Sequence, residues 1–326
     1  MCTARGWPHS TDLAAKPPVL VARPGPAQRG QFAVRAACPN NARMCRLYGF
    51  RSAVDSSIHQ SLVAADNALA RQSERHRDGW GLGFYVGPYP HVIRNDEQAL
   101  GDVLFREVSG VVATRTFVAH IRQATVGAPR VLNCHPFQHG RWLLAHNGEI
   151  AGFARSEVQR RVRDCVDDRF RRYVLGDTDS EVLFYVFLSQ LARRVDNLHD
   201  EGVRMAHVLP ALRATIAQVL AVAPDVGEAR PNRLTVLLTN GNLMLGFRQG
   251  RELYYSTYKT RCPERETCYA FEQGRCEGQA ADGIVKHLVV ASEPVASGPN
   301  VWRELEEGAC ICLDHGMNLH CEPLLS

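Results

Sequence analysis

The chain has 326 residues, of which 45% are hydrophobic, enough for one large globular domain or two small ones. Its net charge of +4 gives no electrostatic case for nucleic-acid binding, because residues 1–44 carry six basic side chains and one acidic side chain and the remainder is nearly neutral. Since no apolar run approaches the roughly 20 residues that span a bilayer, we expect a soluble protein with neither a nucleic-acid nor a membrane partner.

The first 44 residues differ in composition from the rest. Six of the seventeen prolines fall within residues 1–43, and no hydrophobic period survives there, so we expect a disordered leader. Three origins stay open: an upstream extension from a wrongly chosen start codon, a propeptide, or an arginine-rich transit peptide. A secretory signal is not indicated, because no apolar core of about 7–15 residues follows the first charges. We place the folded domain at residues 45–326.

A second methionine, Met44, stands directly before Cys45, and a strand-like run begins at once. If translation starts at Met44 and the methionine is removed, Cys45 becomes the N-terminal residue. Its α-amino group, with a reference pKa of about 8, then lies on the residue that carries the thiol. Nucleophile and base would share one residue, as in enzymes with an N-terminal threonine nucleophile. The alternative is a structural cysteine, since free cysteines mostly fill cores.

The next segment combines a predicted helix with a predicted hairpin. Apolar residues recur at helical spacing over residues 56–72 and predict a helix there. The chain breaks at residues 77–81, where Gly79 could let backbone approach a ligand closely or could simply form a turn. Residues 82–86 and 91–93 then predict the two strands of a hairpin.

A histidine and an arginine stand at the end of a predicted buried strand. The run Thr116-Phe117-Val118-Ala119 has strand composition, and His120 and Arg122 follow it before the chain breaks at Gly127. A guanidinium fixed there can bind a carboxylate with two parallel hydrogen bonds. An ordinary arginine on an edge strand is the alternative.

Another strand, over residues 141–146, runs directly into Asn147 and Gly148. An Asn-Gly pair is usually a hairpin turn. The functional alternative is an amide side chain and a glycine N–H that both point at one developing oxyanion.

Two helices follow, of which the second has a strong start signal. Residues 153–174 are basic with interleaved acids, as expected for a solvated helix. A second helix is predicted over residues 182–194, with Thr178 or Asp179 as its N-cap and Glu181 as a capping acid. Capping accounts for one acid of this cluster well and for the whole cluster less well.

The last third of the chain is rich in predicted strands. A long helix at 204–222 is followed by strands at 234–239, 243–248, 253–256 and 288–291. Cys310 and Cys312 lie on a further strand, where we expect them to face opposite sides.

The eleven cysteines give no sign of a disulfide framework. Their number is odd and they are scattered from Cys2 to Cys321, which favours a reducing compartment, here the cytoplasm. Cys262, Cys268 and Cys276 do not have the spacing of the common short zinc knuckles. We therefore expect no metal site and no cofactor, with a structural zinc at these three cysteines as the alternative.

Taken together, the chain from Met44 onward resembles the class II glutamine amidotransferases, whose glutaminase domain has an N-terminal nucleophile. No single element is specific, but the elements occur in the family's order over nearly all of residues 45–295. They are residues 44–49, 78–81, 120–127, 133–137, 146–148, 178–181 and 292–294. The chain is similar in particular to the stand-alone bacterial branch, which includes the hydrolase of ergothioneine biosynthesis and the glutathione-degrading amidotransferase subunit.

The resemblance implies an α+β fold of the Ntn-hydrolase type, a four-layer αββα sandwich with two antiparallel sheets. It also implies the catalytic residues. Cys45 would be the nucleophile, with its own α-amine as the base. Asn147 and the Gly148 N–H would form the oxyanion hole.

The same resemblance implies how a substrate is held. Arg122 would bind the α-carboxylate, Asp179 would pair with the α-ammonium, and Gly79 would add a backbone contact. These roles suggest a small-molecule substrate, either glutamine or a γ-glutamyl compound, whose γ-carboxamide is hydrolysed through a γ-glutamyl thioester.

Two other functions remain as alternatives. The chain could deliver ammonia to a partner, or it could be a catalytically inactive sandwich used for binding. Roughly 30 residues follow Pro294, fewer than the about 50 that a small domain needs. We therefore expect any ammonia-accepting site to lie on a separate protein.

Overall fold

A computed structural model describes residues 45–65, 67–225, 230–260, 283–295 and 300–325. The leader expected at residues 1–44 and the zinc considered at Cys262, Cys268 and Cys276 lie outside these residues. The six cysteines within the described part are all free thiols.

Seven strands form the first sheet, in the order β11-β9-β10-β1-β4-β2-β3, and every pairing is antiparallel. They are β1 (Arg46–Ser57), β2 (Trp80–Val86), β3 (Tyr89–Asn95), β4 (Ala113–Ile121), β9 (Tyr254–Ser256), β10 (His287–Ala291) and β11 (Arg303–Glu304).

Six strands form the second sheet, in the order β13-β12-β8-β7-β6-β5, again antiparallel throughout. They are β5 (Phe137–His139), β6 (Trp142–Glu149), β7 (Arg233–Thr239), β8 (Met244–Phe247), β12 (Ala309–Leu313) and β13 (Leu319–Pro323).

Helices cover the outer face of each sheet. The helices are α1 (Leu69–Gln72), α2 (Val103–Val111), α3 (Ser156–Asp164), α4 (Asp168–Arg171), α5 (Asp179–Leu191) and α6 (Met205–Val222). Apolar residues of α1 and α2 share a core with the first sheet, and those of α3 to α6 share a core with the second. The order of layers is therefore helix, sheet, sheet, helix, and the expected αββα sandwich is confirmed.

A third core lies between the two sheets. Leu47 and Val118 of the first sheet pack there with Ala145, Leu237 and Ile311 of the second. Because the central strands are covered on both faces, they are apolar almost without interruption instead of alternating with polar residues. This explains the continuous apolar run that marked β4 in the sequence.

The helix predicted over residues 56–72 is wrong as a single element. β1 continues to Ser57, a π-helical turn covers Gln60–Ala64, and α1 is only four residues long. After a bulge, Ser56 and Ser57 still pair with β4, so cross-strand hydrogen bonds override the local helical spacing. The apolar face itself was predicted correctly, since residues 58, 62, 65 and 69 are all buried in one core.

Two other expectations need correction. The basic segment 153–174 contains two short helices, because the chain turns after α3 and the Asp167 carboxylate accepts a hydrogen bond from the Arg169 N–H at the start of α4. Cys310 and Cys312 both lie in the core beneath the second sheet, since residues two apart on a strand share a face.

Helix α6 agrees with the prediction for residues 204–222. It is the one helix in the described part whose length and composition would allow it to cross a membrane. However, Val208, Leu212 and Ile216 pack into the core beneath the second sheet, as expected for a core helix of a globular domain.

Candidate active site

The predicted nucleophile, Cys45, is half-buried immediately before β1. Its sulfur accepts a hydrogen bond from the Gln123 backbone N–H at 3.2 Å, and its thiol donates to the Gln123 carbonyl oxygen at 3.3 Å. Burial raises the pKa of this thiol, and the Gln123 hydrogen bond opposes that shift. At neutral pH the thiol is therefore protonated and needs a base before it can attack.

Three charged side chains lie within electrostatic reach of this sulfur. The positive charges of Arg122 and Arg251 lower the pKa of the Cys45 thiol, whereas the negative charge of Asp179 raises it. The structure thus brings three residues that are far apart in the sequence to the surroundings of Cys45: Arg122 after β4, Asp179 at the start of α5, and Arg251 between β8 and β9.

The start of β1 is hydrogen-bonded to the segment that follows β10. The Leu47 N–H donates to the Ser292 hydroxyl at 3.0 Å, and the Ser292 N–H donates to the Leu47 carbonyl at 2.9 Å. Beside the nucleophile, Arg46 forms an ion pair with Glu293 at 3.2 Å. This gives a physical role to the Ser-Glu-Pro element of the sequence, which fixes the strand two residues from Cys45.

Arg122 is buried and held in place by main-chain oxygens. Its guanidinium donates to the carbonyls of Asp78 (3.4 Å), Val126 (3.0 Å) and Gly127 (3.1 Å). Within the described part of the chain, no carboxylate lies within 4.0 Å of the guanidinium. A buried charge is costly unless it is paired, so this site is suited to an anionic group of a ligand.

The turn at Asp78 and Gly79 is hydrogen-bonded to the backbone of Arg122 and of the loop that follows it. The Gly79 carbonyl accepts a hydrogen bond from the Arg122 N–H at 2.8 Å, and the Asp78 carboxylate accepts one from the Ala124 N–H at 2.8 Å. Gly79 has a φ of +119°, and a Cβ there would lie 2.5 Å from the Cys134 sulfur. A side chain is therefore excluded; a direct contact of Gly79 with substrate stays a prediction.

Asn133 links the two loops that carry the charged residues. Its amide nitrogen donates to the Ala128 carbonyl at 2.9 Å, and its amide oxygen accepts from the Asp177 N–H at 3.0 Å. Ala128 belongs to the loop after Arg122, and Asp177 lies two residues before Asp179. The sequence motif around Asn133 thus sets the spacing of the two groups.

Thr178 and Asp179, the two candidate N-caps of α5, have different roles in the structure. The Thr178 hydroxyl accepts a hydrogen bond from the Glu181 N–H at 3.2 Å, which makes Thr178 the N-cap. The Glu181 carboxylate accepts from the N–H groups of Leu175 (3.1 Å) and Gly176 (2.6 Å), which precede the N-cap, and not from the N-cap N–H as expected for a capping acid. Asp179 is therefore not required for capping.

The Asp179 carboxylate is buried and accepts hydrogen bonds from two elements. One oxygen accepts from the Ile150 N–H at 2.7 Å, and the other accepts from the Ser180 N–H at 2.8 Å and lies 3.2 Å from the Ser180 hydroxyl. Among the described residues, no cationic side chain forms an ion pair with it. Asp179 thus presents a fixed negative charge near the end of β6.

Asn147 and Gly148 lie near the end of β6, where they pair with Thr235 and Leu234 of β7. Asn147 is buried, yet its amide has no hydrogen-bond partner among the described residues. At Gly148 a Cβ would lie 1.8 Å from the Arg233 carbonyl oxygen, so a side chain there is excluded. An amide without a protein partner next to an obligatory glycine is compatible with the expected oxyanion hole.

Three buried histidines connect the central strands but do not reach the sulfur. His120 and His135 have ring nitrogens 3.1 Å apart, and the His146 N–H donates to His135 at 3.4 Å. Burial lowers the pKa of all three and brings that of His120 to about 3. Both hydrogen bonds of the Cys45 sulfur go to backbone atoms of Gln123 and not to a histidine.

Two residues of this site were not found by sequence reasoning. Gln123 lies inside a recognised motif, but its role depends on backbone atoms, for which the side-chain type gives no signal. Arg251 stands in the loop that leads from β8 of the second sheet to β9 of the first, and nothing in the local sequence indicates that it approaches Cys45.

The family model of the class II glutamine amidotransferases matches residues 44–324, and the chain belongs to this family. It is 30% identical over 226 residues to the gamma-glutamyl-hercynylcysteine sulfoxide hydrolase of Mycobacterium tuberculosis, a match that covers 64% of this chain and 78% of that protein. An uncharacterised protein of Methanocaldococcus jannaschii is 24% identical over 294 residues, or 87% of this chain and 73% of its own length.

Solved structures confirm the fold. A glutamine aminotransferase class-II domain protein from Silicibacter pomeroyi matches 86% of this chain and all of its own, with a TM-score of 0.58 and 22% identity. Glutamine phosphoribosylpyrophosphate amidotransferase from B. subtilis matches 86% of this chain and 49% of its own, with a TM-score of 0.54 and 14% identity. The expected resemblance and the expected sandwich are both confirmed.

The charges around Cys45 predict how its thiol titrates when the peptide bond to Met44 is intact. Alkylation of Cys45 by iodoacetamide should have a midpoint above the ordinary pH range of a cysteine, because burial raises the pKa of the thiol. Asp179→Asn should move the midpoint down, and Arg251→Gln should move it up. Mass spectrometry of the Cys45 peptide after brief alkylation at each pH measures this.

Asp177→Asn serves as the matched control, since Asp177 is exposed and pairs with Arg130 at 3.8 Å. Its midpoint should equal that of the unmodified protein. A shift in the same direction for Asp179→Asn and Arg251→Gln would contradict the electrostatic assignment.

Proposed function

From its family membership and the geometry around Cys45, we propose that this chain hydrolyses the γ-carboxamide of glutamine or of a γ-glutamyl compound. One observation carries the proposal. A buried cation, Arg122, and a buried anion, Asp179, both lie within electrostatic reach of the sulfur, and neither has an oppositely charged partner among the described residues. An amino-acid head group supplies a carboxylate for the first and an ammonium for the second.

The reaction uses the α-amine of Cys45 as the base. The amine takes the thiol proton, and the thiolate attacks the γ-carbonyl carbon. The Asn147 amide and the Gly148 N–H stabilise the resulting oxyanion, and loss of one such donor typically costs about 2.7–4 kcal/mol. The amine or ammonia leaves with the proton, and water then cleaves the γ-glutamyl thioester to release glutamate and restore the thiol.

This mechanism requires a mature chain that begins at Cys45. A nitrogen in a peptide bond to Met44 has no lone pair available for the thiol proton. We therefore place the functional domain at residues 45–326 and expect residues 1–44 to be absent from the active enzyme. A downstream start at Met44, followed by methionine removal, accounts for this more simply than autocatalytic cleavage of a propeptide.

A second candidate function is delivery of ammonia to a separate protein. The glutamine–fructose-6-phosphate aminotransferase of Aeropyrum pernix is 30% identical over 212 residues, which is only 31% of that enzyme. The rest of that enzyme has no counterpart in the match. Glutamate release that rises when cell extract is added would favour this function over simple hydrolysis.

The nucleophile assignment is tested by removing one sulfur atom. Cys45→Ala should abolish glutamate release and leave the fold intact, because within the described part of the chain the sulfur hydrogen-bonds only to the Gln123 backbone. An electrophilic glutamine analogue should label Cys45 and no other cysteine. Cys321→Ala, at an exposed thiol, should keep both activity and labelling. Full labelling of the Cys45→Ala protein would refute the assignment.

The head-group assignment is tested by comparing two adjacent residues at the start of α5. Asp179→Asn should raise KM for substrates with a free α-ammonium and spare their N-acylated analogues, because only the former lose an ionic contact. Thr178→Ala should lower stability by about 1 kcal/mol through loss of the N-cap, with KM unchanged. Steady-state kinetics and urea unfolding measure both effects. An equal loss on both substrate types in Asp179→Asn would mean that Asp179 is structural only.

The maturation step is tested with two forms of the protein. A form that starts at Met44 and is processed to Cys45 should release glutamate, and a form that retains residues 1–44 uncleavably should not. N-terminal sequencing of the native protein should give Cys45 as the first residue. If the long form turns over as fast as the short one, the α-amine of Cys45 is not the base and the proposed mechanism is wrong.

A further inference from the structure

His146 lies between the proposed oxyanion hole and the buried carboxylate of Asp179. It directly precedes Asn147 on β6, and its ring is buried. Its Nδ1 lies 2.8 Å from the Ser180 hydroxyl at the start of α5, and its Nε2 lies 2.9 Å from the Arg233 carbonyl oxygen on β7. Both ring nitrogens therefore have a protein partner, and the proposed reaction uses neither of them.

These hydrogen-bond partners fix which ring nitrogen carries the proton. A carbonyl oxygen can only accept, so the Nε2 of His146 donates to Arg233. Burial lowers the pKa of His146, against the opposing charge of Asp179, so the ring is neutral at neutral pH and holds a single proton. Its Nδ1 is then unprotonated, and it accepts the hydrogen bond from the Ser180 hydroxyl.

The hydroxyl of Ser180 has one proton and two neighbouring acceptors. The Nδ1 of His146 lies 2.8 Å away, and one oxygen of the Asp179 carboxylate lies 3.2 Å away. Because the proton goes to the shorter contact, the donors to the carboxylate among the described residues are the N–H groups of Ile150 and Ser180. The Asp179 oxygen that faces the hydroxyl thus keeps acceptor capacity that a cationic donor can use.

We propose that His146 is a positioning residue that withholds the Ser180 hydroxyl proton from Asp179, which leaves the carboxylate free to bind the α-ammonium group of the substrate. This inference rests on the proposed function and deepens it at the ammonium end of the same site. Without an acceptor on residue 146, the hydroxyl would turn to Asp179 and donate to it. The carboxylate would then be partly satisfied by the protein and would bind an ammonium less tightly.

The experiment uses two ligands that differ only in the ammonium group. L-Glutamate is the product whichever γ-glutamyl compound is cleaved, and glutarate is the same molecule without its α-ammonium. Isothermal titration calorimetry at neutral pH, with the protein that begins at Cys45, gives a Kd for each. The preference for glutamate, defined as the ratio of the two Kd values, should be about tenfold or more, as expected for hydrogen bonds between charged groups.

Two variants of nearly equal shape isolate the contact of Nδ1. His146→Leu and His146→Asn both lose the hydrogen bond to Arg233, but only the second places an oxygen near the former Nδ1, where it can accept from Ser180. His146→Leu should lower the preference to about threefold or less, because an ordinary hydrogen bond to the carboxylate then competes with the ligand. His146→Asn should keep the preference of the unmodified protein, and both variants should keep the affinity for glutarate.

Removing the hydroxyl should repair the defect. The double variant His146→Leu with Ser180→Ala has no hydroxyl that could donate to Asp179, so its preference for glutamate should return to about tenfold. A second substitution would not restore the preference if His146 only supported the fold, because the two losses would then add.

His139→Gln is the matched control. His139 is a half-buried histidine on β5 of the same sheet, and its ring packs against those of Phe170 and Tyr185. Its Kd values for both ligands should equal those of the unmodified protein.

The possible failures are distinguishable. An unchanged preference in His146→Leu, an equal fall in His146→Leu and His146→Asn, or no recovery in the double variant would overturn the role of the hydroxyl proton and leave the hydrolase intact. Loss of glutarate binding in both single variants would also overturn it, because His146 would then only support the fold. Equal affinity of the unmodified protein for the two ligands would overturn the ammonium site at Asp179 and this inference with it. If the unmodified protein binds neither ligand and releases no glutamate from glutamine or γ-glutamyl compounds, the proposed function itself is overturned.

Discussion

The site depends on the pairing of β1 with β4. Arg46 lies opposite Ile121, and this register brings Cys45 beside Arg122 where the ladder ends. Because side chains alternate along a strand, a slip of one residue would turn the sulfur or the guanidinium to the opposite face. Residues 117–119 are fully buried with both faces of β4 covered, so any slip would expose apolar surface or bury polar groups. The hydrophobic sandwich thus fixes the geometry of a polar site at its edge.

This geometry buries two charged groups, Arg122 and Asp179, and neither forms an ion pair with another described residue. Removing an ion from water typically costs several kcal/mol even after relaxation. Three carbonyl dipoles compensate Arg122 in part, and the N–H groups of Ile150 and Ser180 donate to the carboxylate of Asp179. These contacts hold both groups in position, so the head group of the proposed substrate would meet both charges without reorganisation of the site.

The sequence predicted the layers and the motif order because strands, glycine breaks and helix caps leave local signals. It failed where the deciding partner is remote. The helix expected at residues 56–72 was replaced in part by the end of β1, which pairs at Ser57 with Ala113 of β4, far along the chain. Thr178 is the N-cap through its hydrogen bond with the Glu181 N–H, and nothing in the sequence indicated that Asp179, the other candidate, accepts a hydrogen bond from the remote Ile150 at the exit of β6. Arg251 left no local signal, since its position depends on the hydrogen bond of its carbonyl with the Thr235 hydroxyl in the second sheet.

In the proposed mechanism, substrate binding makes a local base necessary. In the empty site, the charge of Arg122 lowers the pKa of the Cys45 thiol and that of Asp179 raises it. A bound carboxylate and ammonium neutralise both, so the pKa returns to the raised value that burial imposes. In the proposed mechanism the thiolate therefore does not accumulate before attack, and the proton passes to a neutral acceptor close to the sulfur, a role that suits an α-amine with a pKa of about 8.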